Sequence, residues 1–275
     1  MRLLLAAAMV LLLLRAPLVM DAAASACNLF VRAVLPGLLP YMVLSLMLAS
    51  RFGGGMPPWL MALLGWGGGS PTGARLLAMG GLSGRQRVTL AVATATMSPM
   101  FLLGTCGRWL GSPVAGAVLL ASVVLGGALT GLAAGAVRLK PAAAPVEPAG
   151  QASPLTLGQA VDQTARTLLL VCGTMALLRV FAALGAWVIP AAALPLTTVL
   201  EVTTGAEHLA QMPWPLPYRT AALAGATGFG GLAILLQNRA LYPRGLLPLP
   251  AQLFWQCLLG AISFLLALGA MVMVA

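Results

Sequence analysis

Acid is what this 275-residue chain has least of: five Asp and Glu together, against 15 Lys and Arg, with a single His. So few carboxylates and one imidazole leave little from which to build an acid–base pair or a metal cluster. Glu201, Thr204 and His208 would share a face if their segment were helical, but that is too few ligands for a metal site. Ser70 lacks the GxSxG frame of a nucleophile elbow, and His208 has no orienting acid beyond Glu207. No catalytic residue, metal or cofactor is therefore expected, and the chain does not read as an enzyme. Its four cysteines, Cys27, Cys106, Cys172 and Cys257, lie far apart and form no CxxC, which argues against a zinc site or a disulfide framework. Charged residues make up only 7% and aromatics 6%. The net charge of +10 comes from basic residues scattered at the ends of apolar runs, so it does not describe a nucleic-acid-binding surface.

What the chain does have is apolar length. Hydrophobic residues make up 60% and the mean hydropathy is +0.99. A water-soluble domain of this size cannot hide so much apolar surface. The runs are long, rich in Leu, Ala and Val, and do not alternate, which predicts membrane helices and not barrel strands. Seven spans are expected, at 2–20, 37–50, 88–110, 113–137, 162–182, 219–238 and 249–274. Residues 21–36 read as interfacial, and 2–20 as a retained, signal-like first helix. Two short apolar segments, 57–74 and 184–205, are too short or too broken to cross, and they predict re-entrant hairpins. "RLKPAAAPVEPAGQASPLTLGQA" (138–160) predicts a polar, extended cytoplasmic linker. The expected organisation is thus 1–20, a first half at 21–137, the linker at 138–160, and a second half at 161–275.

The halves look like copies. At a shift of 132 positions, Thr72-Gly73-Ala74 falls on Thr204-Gly205-Ala206, Arg87 on Arg219, Ser98 on Gly230 and Thr105 on Gln237. An odd number of spans separates the two short segments, so the second copy is expected upside down. The charges agree with an N-in, C-out arrangement. It puts Arg2, Arg51, Arg75, Arg85, Arg87, Arg138, Lys140, Arg239 and Arg244 in the cytoplasm, and Arg32, Arg108, Arg179 and Arg219 outside. Inverted repeats with discontinuous helices bind substrate near the midplane in secondary transporters.

"GSPTGAR" (69–75), "SPMFLLGT" (98–105), "EVTTG" (201–205) and "GFGGLAILLQ" (228–237), with "VLPGLLPYMVLSLMLASRFG" (34–53) before them, resemble the YlbJ-type sporulation integral membrane proteins. Those belong with the nucleoside-recognition, or Gate, domain membrane proteins. Where that family carries an Asn-containing stretch before Ser-Pro, this chain has Thr94 and Thr96. The resemblance covers roughly residues 20 to 270. It implies a multi-pass plasma-membrane protein, similar in plan to concentrative nucleoside carriers. Its sporulation branch is associated with moving a dicarboxylate, dipicolinate.

The candidate substrate-binding residues follow from the breaks. Ser70, Pro71, Thr72 and Gly73 form one hairpin tip, and Glu201, Thr203, Thr204 and Gly205 the other. Ser98 with Pro99, and Gly228, Gly230 and Gln237, stand at the mid-span breaks, where freed backbone must face protein, water or solute. The glycines equally allow close helix packing. An ionised carboxylate at membrane depth costs at least ~2.5 kcal/mol, so Glu201 is either a substrate or cation contact or an interfacial acid in water. Asp162 and Arg166, four apart at a span entrance, read as a structural pair. The expected function is transport of a small polar or anionic metabolite, dicarboxylate or nucleoside-like, coupled to H⁺ or Na⁺. The expected partners are substrate, lipid bilayer and, in a homo-oligomer, further copies of the chain. The alternative is a non-transporting gate or scaffold subunit that binds a protein partner.

Overall fold

The computed structural model describes residues 2–79, 81–137 and 153–274. Every regular element among them is helical. Five helices are long and apolar enough to cross a membrane: Ala16–Ser50, Pro113–Ala136, Leu157–Val188, Leu216–Leu241 and Leu249–Val274. Large apolar side chains such as Leu44, Leu132, Leu169 and Leu265 lie exposed on them, as a lipid-facing surface requires.

The first half opens with α1 (Arg2–Leu14) and α2 (Ala16–Leu29). A π-helical turn at Phe30–Val34 joins α2 to α3 (Leu35–Ser50). This corrects the expected division into a span at 2–20, an interfacial segment at 21–36 and a span at 37–50. The helix runs on through the π turn and past Pro36 into α3. The only interruption is at Arg15, whose guanidinium lies 3.7 Å over the Trp187 ring. Next come two short helices, α4 (Pro58–Gly68) and α5 (Thr72–Leu77), then α6 (Gly84–Ala93), begun by a Ser83–Gln86 capping box. After a non-helical stretch, a π-helical segment at Met100–Cys106 runs into α7 (Gly107–Leu110), and α8 (Pro113–Ala136) closes the half.

The second half repeats this order. It runs α9 (Leu157–Val188), a 3₁₀ turn at Pro190–Ala192, α10 (Ala193–Leu200), α11 (Val202–Ala210), α12 (Leu216–Phe229), α13 (Gly231–Leu241) and α14 (Leu249–Val274). Moved on by 132, α3 falls within α9, α4 on Pro190–Leu200, α5 on α11, α6 on α12, Met100–Cys106 on α13 and α8 on α14. The packing repeats as well. α6 lies on α8 as α12 lies on α14, and α4 on α5 as α10 on α11. In each half, close approach is made by small residues. A Cβ on Gly131 would strike Ala93, and one on Gly260 would strike Phe229 and the Gly225 carbonyl.

α3 and its mate α9 pack against each other, and so do α8 and α14. The α2–α3 and α9 helices run antiparallel: Ser50 Oγ accepts from Leu155 N at 3.0 Å, Cys27 Sγ stands 3.9 Å from Cys172 Sγ, and Ala22 clusters with Val180 and Ala183. The operation that relates the halves therefore reverses direction along the helices. The two thiols also provide a check on this packing. In a Cys106→Ser, Cys257→Ser background, a dithiol-to-disulfide oxidant such as diamide should remove both remaining maleimide-reactive thiols together. Continued labelling of both would contradict the α2–α9 register.

α9 begins earlier than the expected 162, because a Thr156–Gln159 capping box starts it at Leu157. Residues 138–152 of the expected linker, with Arg138, Lys140 and Glu147, lie outside the described residues. Asp162 and Arg166 form the expected pair at 3.0 Å, both exposed. Fully in solvent, such a pair contributes little to stability.

Candidate site between the two halves

Five of the candidate residues face one another across a small cavity of about 30 Å³: Ser70 and Ser98 from the first half, Glu201, Thr203 and Gln237 from the second. Val34, Leu38, Val171 and Met175 supply much of its apolar wall. Local backbone chemistry brings each polar group there.

At the first tip α4 ends at Gly69, with φ 64° and ψ −172°. Only glycine adopts that region readily. A cis Ser70-Pro71 bond follows, and α5 begins at Thr72. Ser70 N donates to the Thr96 carbonyl at 2.6 Å, and Ser70 Oγ donates to Asn238 Oδ1 at 2.5 Å, tying the tip to both halves. Trp66 Nε1 donates to the Ala93 carbonyl at 2.8 Å and holds α4 against the end of α6.

Pro99 does not kink a continuous helix. α6 stops at Ala93, and the chain stays non-helical until Pro99. There Ser98 Oγ accepts from Phe101 N at 3.3 Å, and the Ser98 carbonyl accepts from Leu102 N at 3.0 Å. Ser98 thus caps a new helical segment. Pro99 stands in its first turn, where no N–H is needed. The expected breakage of one span at 88–110 is in fact a stop and a restart.

At the second tip Glu201 is fully buried, which overturns its reading as an interfacial acid in water. It caps α11. One carboxylate oxygen accepts from Thr203 N at 2.9 Å, and the other from Thr204 N at 2.8 Å and Thr204 Oγ1 at 2.6 Å. All of these partners donate to the carboxylate oxygens at the N-terminus of α11. The facing break is made by Gly230 and Gly231, at φ 77° and 69°. A Cβ on Gly231 would lie 3.1 Å from the Val199 carbonyl and 3.3 Å from Val202 N. The second tip therefore rests on the second break as Gly69 rests on Ser98. Gln237 Nε2 donates to Thr174 Oγ1 at 2.7 Å.

The other candidates do not line the cavity. Thr72 is buried beneath Gly68, and Gly73 fits against the Thr94 side chain. Pro71 belongs to the tip backbone, and Pro99 starts a helix. Thr204 orients Glu201, Gly205 makes room for Thr198, Gly228 faces Ser263 on α14, and Gly230 ends α12. These side chains and glycines build the tips and breaks; they do not reach into the space between them. His208 is exposed while Glu201 is buried, so the two do not share a face. Two contributors were missed. Asn238 receives the Ser70 hydroxyl, and its Nδ2 is buried without a partner among the described residues. Thr174 orients Gln237. The Gln237-Asn238 pair inside an otherwise apolar run was the available signal.

No family model, curated protein or solved structure matches this chain.

Proposed function

We propose that this protein is a plasma-membrane transporter for a small polar or anionic metabolite, bound between the two repeat halves. The observation that carries the reading is the convergence of Ser70 and Ser98 from one half with Glu201, Thr203 and Gln237 from the other on one cavity. A scaffold subunit would instead expose an apolar or small-residue face and hold no cavity. Here the α8 glycines Gly127, Gly131 and Gly135 are turned against Ala93 and Thr89 of α6.

The finer architecture belongs to the same proposal. α4 has 11 residues, and α10 and α11 have 8 and 9. None of them reaches across about 30 Å of hydrocarbon at about 1.5 Å per residue, so α4–α5 and α10–α11 are re-entrant hairpins. The crossings are the five long helices and the interrupted 84–110 segment that mates with Leu216–Leu241; α1, at 13 residues, is too short to add a seventh. Because mates α3 and α9 run antiparallel, two such halves in a bilayer are inverted. The resemblance to sporulation Gate-domain proteins favours a dicarboxylate or nucleoside-like substrate. H⁺ or Na⁺ would act as the coupling ion near Glu201.

A thermal-shift screen of the purified protein against nucleosides, dicarboxylates and divalent cations would identify a ligand. Ser98→Ala and Gln237→Ala should then each weaken binding of that ligand about 2- to 10-fold, the worth of one hydrogen bond. Gln237→Ala should leave expression intact. If both variants bind and transport like the parent, the cavity is not the substrate site.

A further inference from the structure

A second cavity, of about 270 Å³, opens beside the end of α3 and the start of α9. Its lining carries Arg75 from α5, Gln163 from α9, Ser50 from α3 and Ser153 from the approach to α9. Arg75 is half-buried, and Nη2 donates to Gln163 Oε1 at 2.8 Å. Among the described residues that neutral amide is the only hydrogen-bond partner of the guanidinium, and no carboxylate pairs with it.

Other arginines line no such cavity, and Arg219 even keeps a buried Nε without a partner among the described residues. Arg219 donates to the Ala210 carbonyl at the end of α11, Arg239 to the Leu247 carbonyl, and Arg166 pairs with Asp162. Arg75 is instead a cation facing a roomy space with several polar lining groups, and among the described residues no carboxylate occupies its guanidinium fork. That fork matches the two oxygens of a carboxylate or phosphate. The lining is anchored, since Ser50 Oγ accepts from Leu155 N and donates to the Met47 carbonyl at 2.7 Å. The chain supplies few anions of its own, with only five acids against 15 bases.

We propose that this cavity binds an anionic group, a carboxylate or a phosphate, through the Arg75 guanidinium. The site is separate from the Glu201 cavity. Ser70, five residues before Arg75, lines that first space, and the two cavities share no lining residue. The anion is either a free solute or the headgroup of an anionic lipid. The site lies where spans end, at Ser50 and near Leu157, which suits both sources.

The test uses the full chain in non-ionic detergent and reads the thermal unfolding midpoint, so it does not depend on transport. The soluble probes are sodium succinate and sodium phosphate, against sodium chloride at equal ionic strength. The lipid probe is phosphatidylglycerol, against phosphatidylcholine, in mixed micelles. The parent should be stabilised by the soluble anions, by phosphatidylglycerol, or by both, and the responding arm names the source. Arg75→Gln should lose at least tenfold in apparent affinity. Arg75→Lys should fall between, as a point charge without the fork, and Arg166→Gln should match the parent. Ser153→Glu, which places a carboxylate across the same space, should block binding while keeping Arg75. The proposal is overturned if no probe stabilises the parent beyond its control. It is also overturned if Arg75→Gln and Ser153→Glu both respond as the parent does.

Discussion

Gly69→Ala should disable the protein, although it adds only one methyl group. At φ 64° and ψ −172° the backbone sits where a Cβ is strained by about 1–3 kcal/mol. The added carbon would also overlap Met97 C and Ser98 N. Both are backbone atoms, so no side chain can rotate aside. Either the tip moves off the break, with loss of the Ser70 N–Thr96 carbonyl bond, or the break itself shifts. We expect destabilisation of about 3 kcal/mol or more, together with lost ligand binding, because Ser70 and Ser98 line the cavity from these two segments. Gly104→Ala is the control, since a Cβ there meets nothing within 4 Å. Thermal stability in detergent and ligand-induced stabilisation would be measured for both. A Gly69→Ala protein that melts and binds like the parent would remove the packed tip from the account of the site.

Glu201→Ala should be comparably severe for a different reason. It leaves Thr203 N, Thr204 N and the Thr204 hydroxyl without their acceptor in a buried place. An unsatisfied buried donor costs about 1–3 kcal/mol, so the loss reaches several kcal/mol even though the terms do not add fully. Glu201→Gln separates capping from charge in part. It keeps one acceptor oxygen, but turns an amide NH₂ toward a donor that the carboxylate satisfied. Its stability should therefore fall between parent and Glu201→Ala, and has to be measured beside its transport. If Glu201 carries a coupling proton, Glu201→Gln should bind substrate yet lose the pH dependence of uptake. If it carries sodium, substrate binding should weaken unless sodium is raised. Transport with unchanged pH and sodium dependence would reduce Glu201 to a helix cap.

Both predictions concern residues whose importance was only half legible. Glu201 stood out because an acid in so apolar a chain demands a reason, but its capping role was not visible. Glu is an uncommon N-cap, and nothing local says that α11 starts at Val202. Gly69 was one glycine of 32, and only its dihedral angles and its neighbour Ser98 distinguish it. Pro99 was misjudged for the same kind of reason. A proline disrupts a helix interior but suits a first turn, and the sequence cannot say which it occupies until the end of α6 is known.

The sequence by itself determined the solvent, the helical class and the repeat. Hydropathy sums over many residues, so the long apolar runs are insensitive to detail. A shift of 132 that matches breaks and spans survives errors of a few residues at each end. Only the tertiary structure decided which polar groups meet. Ser70 and Asn238 are 168 positions apart, yet their side chains touch. Thr203 and Thr204 are neighbours in one tip, but only Thr203 lines the cavity, while Thr204 donates to Glu201. Whether a side chain points into a space or into a neighbouring helix turns on about 100° of rotation per residue and on close packing between distant segments. Those are properties of the assembled fold, and no local pattern encodes them.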